Sequence, residues 1–202
     1  MLTRRNLLLT ASAAGLVAAT PVLANDNEMP AELREAIERQ PFSPVLGNPK
    51  GDVTLTEFFD YNCPICREVP PLLQKLIAGD KNLRIVLREW PVLRPSSEEL
   101  ARVSLASLKQ KKYWQMHHGL LSAKRGLNID AALRIAGDLG LDTAQLKRDM
   151  NSDDVSGHIW QSMDLGDHMG LSGTPTFIAG NDGRFGRQSL AELQQLIAIA
   201  RG

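Results

Sequence analysis

The stretch that decides the fold is Glu57–Gly79, EFFDYNCPICREVPPLLQKLIAG, which contains both cysteines of the chain. Before the cysteines, residues 53–59 alternate with a period of two, which predicts a strand. After them, apolar residues recur at helical spacing and predict one apolar helix face: Val69, Leu72, Leu73, Leu76 and Ile77. The two patterns place Cys63 where a strand meets a helix, with Pro64 at the first helical position and Gly79 at the C-cap.

The C-P-I-C spacing of Cys63 and Cys66 favours redox chemistry over a structural role. A helix start favours an anion, so Cys63 should ionise at a lower pH than usual, while Cys66, one turn further in, resolves a mixed disulfide. A disulfide kept for stability would close a longer loop, because a four-residue loop contributes about 2 kcal/mol and a 100-residue loop about 4.7 kcal/mol. A zinc site would need further ligands, but the sequence has no second C-x-x-C and no spaced histidine pair.

Glu57 shares the predicted strand face with the apolar residues Leu55 and Phe59. We therefore expect its carboxyl group to lie in apolar surroundings behind the two thiols. Burial raises the pKa of a carboxyl group, and a group placed there could relay a proton to or from Cys66. The alternative is an edge position at which Glu57 is simply solvated.

The segment FFDYNCPICREVPPLL, residues 58–73, resembles the active-site segment of the DsbA-like thiol:disulfide oxidoreductases of the bacterial envelope, within the thioredoxin superfamily. The Cys-Pro-x-Cys form, the aromatic pair before it and the acid six residues ahead of Cys63 all match that family. Ile65 departs from the pattern, since the strongest oxidases of the family carry a histidine there that helps to stabilise the thiolate.

The first 24 residues have the pattern of an export signal peptide. Arg4 and Arg5 precede an apolar run over residues 7–20, and Val22-Leu23-Ala24 is a small-residue cleavage signal. The run Thr3–Leu8 resembles a twin-arginine signal, and a Sec signal is the alternative. The pattern predicts a mature protein in the periplasm, where oxidising conditions allow disulfides to persist. The net charge is zero and no basic cluster indicates nucleic acid binding.

Residues 25–44 form a polar arm with a short helix predicted over Ala31–Arg39, which could lie along the domain or serve in dimerisation. For residues 45–202, the resemblance implies an α/β fold, a thioredoxin fold with a helical insertion between the βαβ unit and the cis-proline hairpin. A second strand is predicted over Leu83–Glu89, parallel to the first. The insertion spans about residues 96–170 and is predicted to begin with a capping box of Ser96 and Glu99.

All four histidines lie in the predicted insertion: His117, His118, His158 and His168. Adjacent residues on a helix point to different sides, so His117 and His118 cannot chelate a metal together. We interpret each histidine as a surface residue or as a core residue with satisfied hydrogen bonds.

The segment Ser172–Ala179 resembles the cis-proline loop of the thioredoxin superfamily. The resemblance implies that the Thr174–Pro175 peptide is cis and that the loop faces the two cysteines. The backbone groups of Thr174 would then pair with an extended client peptide as a short added strand. The following GNDG, residues 180–183, predicts a hairpin turn, and Ser189 with Glu192 predicts a capped final helix.

Together these observations predict a periplasmic thiol:disulfide oxidoreductase with catalytic Cys63, Cys66 and Glu57, client-binding Thr174 and Pro175, and neither metal nor cofactor. Its partners would be exported proteins with cysteines or disulfides and a membrane redox partner. A monomer without a dimerisation domain favours an oxidase, whereas Thr174 before the proline is frequent in isomerase-like members. A disulfide isomerase or reductase is therefore the first alternative. A Cu(I)-binding protein that uses the two soft thiolates is an alternative of another class.

Overall fold

The computed structural model describes residues 28–123 and 126–202, so the predicted signal peptide lies outside the described residues. The described chain forms five strands: β1 (Val45–Gly47), β2 (Val53–Phe59), β3 (Leu83–Glu89), β4 (Thr176–Ala179) and β5 (Asp182–Phe185). It also forms eight α-helices: α1 (Ala31–Glu38), α2 (Pro70–Gly79), α3 (Pro95–Ala106), α4 (Tyr113–Ser122), α5 (Ile129–Asp138), α6 (Thr143–Asp149), α7 (Asp153–His168) and α8 (Leu190–Arg201). Within the described ranges, no helix has the length and apolar character needed to cross a bilayer.

The strands form one mixed sheet in the order β1-β3-β2-β4-β5. Strands β2 and β3 are parallel and joined through α2, as the sequence predicts, while the other neighbours are antiparallel. The helical insertion α3–α7 lies between this βαβ unit and the β4–β5 hairpin. The predicted thioredoxin fold with a helical insertion is therefore confirmed.

The predicted alternation along β2 separates two hydrophobic clusters, and every residue of the strand is buried. Leu55 and Phe59 belong to a large cluster that includes apolar residues of α2, α3, α4 and α8. Phe58 belongs to a smaller cluster with Ile37 of α1 and Leu165 of α7. Helices thus cover both faces of the strand that leads to the cysteines, which fixes its end in the middle of the fold.

The regular helix after the cysteines begins later than predicted. Residues Cys66–Glu68 form a 3₁₀ turn, and α2 begins only at Pro70. Pro70 and the proline after it have no N–H group to continue an α-helical ladder. The Val69 N–H donates instead to the Cys66 carbonyl at 3.2 Å, which is the tighter spacing of a 3₁₀ turn. Pro64 is therefore not the first residue of a regular helix. Gly79 is the last helical residue, and Asp80 takes the C-cap position.

The insertion runs from Pro95 to His168, close to the predicted range of about 96–170, but the predicted capping box at Ser96 is wrong. Helix α3 begins one residue before Ser96, and no side chain caps it. The Asn62 amide donates instead to the Ser96 and Ser97 hydroxyl groups, at 3.2 and 3.0 Å. The predicted box at Ser189 and Glu192 is present at the start of α8.

The N-terminal arm lies along the domain. Arg34 of α1 donates to the Asn181 side chain at 2.7 Å, and Arg84 of β3 donates to the Glu38 carbonyl at 2.7 Å. The short strand β1 follows the arm and pairs with β3. The sequence analysis did not find this strand, because three residues are too few to show a periodicity.

Helix α7 packs so closely on Trp90 that Gly166 has no room for a side chain. A Cβ atom at Gly166 would lie 2.6 Å from the indole ring. We expect Gly166→Ala to lower the free energy of unfolding by about 1–3 kcal/mol, as overpacking of a core typically does. Urea denaturation of the purified protein would measure the change.

The matched control is Gly157→Ala on the same helix, where a Cβ atom would meet no atom within 4 Å. Alanine has the higher helix propensity, so this variant should gain up to about 1 kcal/mol. Equal effects of the two substitutions would contradict the packing described for Trp90.

Candidate active site

The two cysteines lie in the turn that follows β2. The Cys63 N–H donates to the Asp60 carbonyl at 3.0 Å, and the Cys66 N–H points to the Cys63 sulfur at 3.3 Å. Both are free thiols, and both are buried, with 3% of Cys63 and none of Cys66 exposed. Solvent exposure therefore hardly distinguishes the two thiols, and the difference between them must come from their surroundings.

The hydrogen bonds around the two sulfur atoms shift their pKa values in opposite directions. A hydrogen bond from the Cys66 side chain, helped by contacts with Thr174 and with backbone N–H groups, lowers the pKa of the Cys63 thiol to about 6 in spite of burial. Burial raises the pKa of Cys66 far above its usual value, and so do its hydrogen bond to Cys63 and the nearby Glu57. At neutral pH Cys63 is mainly a thiolate and Cys66 holds its proton.

Glu57 lies fully buried at the centre of the sheet. Its strand partners are Leu87 on β3 and Phe177 on β4, both also fully buried. Among the described residues, neither carboxyl oxygen has a hydrogen-bond partner. Burial, followed by the charges of Cys63 and Glu89, raises the pKa of Glu57 well above its usual value. The predicted apolar setting is present, and the alternative of a solvated edge position is wrong.

The loop before β4 faces Cys63. The Thr174–Pro175 peptide is cis, as the resemblance implied. When Cys63 is protonated, its thiol donates to the Thr174 carbonyl at 3.2 Å, so this carbonyl lies next to the sulfur. After the loop, the Pro175 carbonyl accepts from the Gly186 N–H at 2.8 Å, which holds the loop to the end of β5.

Asp60 holds the turn that contains Cys63 and Cys66, which we call the redox turn, and the sequence did not predict this role. Its buried carboxylate accepts from the Asn62 N–H at 2.7 Å, from the Ser97 hydroxyl at 2.7 Å and from the Leu93 N–H at 2.9 Å. The first bond is a local Asx turn, which the Asp-Tyr-Asn sequence could have indicated. The other two partners are more than 30 residues away and carry no local signal.

Tyr61, two residues before Cys63, belongs to a buried hydrogen-bonded group of side chains. The Tyr61 hydroxyl donates to Ser104 at 2.6 Å and lies 3.1 Å from Nδ1 of His117. Burial lowers the pKa of His117 to about 3, so the imidazole is neutral. His117 is thus a core histidine, but its buried Nε2 atom has no hydrogen-bond partner among the described residues, so the prediction of satisfied hydrogen bonds is wrong for this atom. Its neighbour His118 is exposed on the other side of α4, as predicted.

A second buried group connects the end of β3 to the N-terminal arm. The Tyr113 hydroxyl donates to Glu89 at 2.6 Å, and Nε2 of His158 lies 2.9 Å from the same carboxylate. The Nδ1 atom of His158 lies 3.0 Å from the Gln40 side chain. Burial lowers the pKa of His158, so this histidine also belongs to the core. Among the described residues, no cluster of three or more His, Cys, Asp or Glu side chains could hold a metal ion.

Solved structures with similar folds include two with substantial sequence identity. A thioredoxin-like oxidoreductase from Silicibacter pomeroyi is 44% identical, with a TM-score of 0.80 over 83% of this chain and 97% of that one. The thiol-disulfide exchange protein α-DsbA2 from Wolbachia pipientis is 27% identical, with a TM-score of 0.77 over 83% of this chain and 91% of that one. The catalytic domain of Proteus mirabilis ScsC, at 22% identity and a TM-score of 0.76, covers 85% of this chain and 96% of that one and shows the shared fold alone.

Curated relatives include longer proteins. The Na⁺/H⁺ antiporter NhaA 3 of Salinispora tropica is 28% identical over 158 residues, which are 77% of this chain and 24% of that protein. The Na⁺/H⁺ antiporter NhaA 1 of Mycolicibacterium gilvum is 30% identical over 164 residues, which are 78% of this chain and 26% of that protein. The chain thus spans about a quarter of the length of these relatives.

The family comparison covers most of the described chain. Residues 54–198 match the profile described as a DSBA-like thioredoxin domain, a range that runs from β2 into α8 and includes both cysteines and the cis-proline loop. The resemblance noted from residues 58–73 is thereby confirmed. The chain belongs to the family of DSBA-like thioredoxin domains.

Proposed function

We propose that the protein is a thiol:disulfide oxidoreductase that exchanges disulfides with exported client proteins through Cys63 and Cys66. The observation that carries the proposal is the opposite shift of the two thiol pKa values within one C-x-x-C turn. A thiolate that is present at neutral pH can attack or leave, and a neighbouring protonated thiol can resolve the intermediate. The thiol-disulfide exchange named for the Wolbachia protein of the same fold supports this reading.

In the proposed reaction, the Cys63–Cys66 disulfide oxidises two thiols of a client protein. With Cys63 and Cys66 joined as a disulfide, a client thiolate attacks the Cys63 sulfur, the Cys63–Cys66 bond breaks, and Cys66 leaves and takes up a proton. A second client thiolate then attacks the client sulfur of the mixed disulfide and displaces Cys63 as a thiolate. The client loses two electrons and gains a disulfide, and the protein gains the two electrons as a reduced pair. The low pKa of Cys63 makes it the better leaving group in the second step.

Glu57 is the proposed proton donor to Cys66 in the first step and the acceptor in the reverse direction. Burial favours the protonated form of its carboxyl group, and its influence on the pKa of Cys66 indicates that the two groups are near each other. No other described group competes for its oxygen atoms by hydrogen bonding. Thr174 and Pro175 are proposed to hold the client main chain, since the Thr174 carbonyl lies next to the reacting sulfur.

We favour the oxidase direction, because stabilisation of the Cys63 thiolate stabilises the reduced protein and so makes the disulfide form oxidising. We place the reaction in the periplasm on the pattern of residues 1–24, with a membrane redox partner to reoxidise the cysteines and a monomer as the working unit.

The test is oxidation of a reduced two-cysteine peptide by the stoichiometric disulfide form, together with the equilibrium redox potential against glutathione. Tight Cu(I) binding by the reduced protein without any disulfide exchange would favour the alternative function.

Alkylation of the reduced protein should distinguish the two cysteines. Because its pKa is about 6, Cys63 should react with iodoacetamide at a rate that rises through pH 6 and levels off above pH 7. Cys66 should stay unlabelled over this range, because its thiol holds the proton. Mass spectrometry of the labelled peptide identifies the site, and equal or reversed labelling would refute the assignment.

Glu57→Gln should slow disulfide exchange and preserve the fold. The amide has nearly the same shape and is also neutral, but it cannot transfer a proton. Positioned acid–base groups contribute about 10²–10⁴-fold in rate, which sets the upper range of the expected loss. Stopped-flow kinetics at pH 6–8 measures the loss, and urea denaturation checks the fold. Rates equal to those of the wild type across this range would assign Glu57 a structural role only.

Ile65→His should make the protein more oxidising. The side chain of Ile65 offers no hydrogen-bond donor, so a histidine there adds one beside the Cys63 sulfur and should lower the pKa of Cys63 below about 6. We expect the wild-type potential to lie between about −120 and −270 mV and that of the variant to be less negative. Thiolate absorbance followed through a pH titration measures the pKa.

The matched control is Ile65→Leu, which adds no donor and should leave the titration curve in place. If Ile65→His and Ile65→Leu give the same curve, then a residue other than 65 controls the thiolate.

A further inference from the structure

A small cavity of about 90 Å³ opens beside the redox turn. Its lining includes Pro64, which follows Cys63 in the chain, together with Arg67, Arg94 and Leu127. Among the described residues, no acidic side chain lines it. The volume suits a few water molecules or one short side chain. The cavity is lined by the residues on either side of Cys63 in the chain, Asn62 and Pro64, which places the opening close to the reacting cysteine.

The two arginines give the cavity a positive charge that the described residues do not neutralise. Neither Arg67 nor Arg94 forms an ion pair with any carboxylate in residues 28–123 or 126–202. The nearest acids in the sequence have other partners, since Glu68 pairs with Arg187 and Glu98 with Arg102. Asp60 is buried and bound to its three donors.

We propose that this cavity binds the carboxylate of a client side chain close to the reacting cysteine, so that the protein prefers clients with Asp or Glu at that place. The proposal rests on the proposed disulfide exchange and adds a client preference to it. A guanidinium group binds a carboxylate through paired hydrogen bonds, and two such groups at one opening favour an anion over a neutral or cationic side chain. The client main chain at Thr174 and the acidic side chain at the arginines would hold the client on two sides of Cys63.

The test uses three reduced peptides that contain two cysteines and differ only in the residue after each cysteine, which is Asp, Asn or Lys. The rate of oxidation by the disulfide form of the protein is divided by the rate with a small uncharged disulfide, which removes the effect of the neighbouring charge on the peptide thiol itself. We expect the normalised rates to fall in the order Asp, Asn, Lys, and the differences to shrink as salt is added.

Variants of the two arginines identify the site. Arg67→Gln and Arg94→Gln should each reduce the Asp-to-Asn rate ratio by about twofold to fivefold, the range expected for one solvent-accessible ion pair. Arg94→Glu leaves Arg67 as the one remaining arginine of the cavity and should abolish the preference, whereas the double variant Arg67→Gln/Arg94→Glu should reverse the order of the Asp and Lys peptides. The control is Arg148→Gln on α6, which removes the same charge from an exposed position outside the cavity and should leave the ratio unchanged.

The outcomes separate the two proposals. If the wild type oxidises none of the peptides, the proposed disulfide exchange fails. If it oxidises all three at equal normalised rates, or if the arginine variants keep the wild-type ratios, the client preference alone is overturned. A thiolate titration of each variant completes the test. If the variants change the pKa of Cys63 and alter all three rates by one factor, the arginines act on the thiolate and the cavity does not select clients.

Discussion

The buried carboxylate of Asp60 joins three segments that are distant in the sequence. It accepts hydrogen bonds from the redox turn, from the loop after β3 and from the first turn of α3. The carbonyl of the same residue accepts the N–H of Cys63. A buried carboxylate needs such donors, because an unpaired one would cost several kcal/mol. The position of the Cys63 sulfur therefore depends on the docking of the helical insertion against the sheet.

The same apolar surroundings act differently on three titratable groups within a few residues of one another. Glu57 and Cys66 have little to stabilise a charge, so burial keeps both in their protonated forms. Cys63 is also buried, but hydrogen bonds from its neighbours outweigh the cost of desolvation. The site thus favours a negative charge on Cys63 beside two groups, Glu57 and Cys66, whose protonated forms burial favours. Both thiols are hidden from solvent, but desolvation dominates at Cys66, whereas hydrogen bonds to the sulfur outweigh it at Cys63.

The parts of the fold that the sequence predicted are those that show a local pattern. The bounds of β3 and the cap of α8 follow from periodicity and capping chemistry, and both are present. Helix α2 begins later than the apolar spacing predicts, because Pro70 has no N–H group with which to continue an α-helical ladder from the cysteines. Asp60 and the contact of His158 with Gln40 could not be found, since their partners are set only when the insertion and the arm pack on the sheet. Both cysteines and Glu57 were found because the motif that contains them is continuous in sequence.

The contact between the arm and Asn181 has a mechanical consequence. The Asn181 side chain accepts from the backbone N–H of Met29 and from the Arg34 guanidinium. Asn181 lies in the turn between β4 and β5, and β4 begins directly after Pro175. A force applied at the N-terminal side of Met29 would therefore load this hairpin before it reached the central strands. Tension on that end would be transmitted, through the four residues of β4, to the loop that faces the Cys63 sulfur.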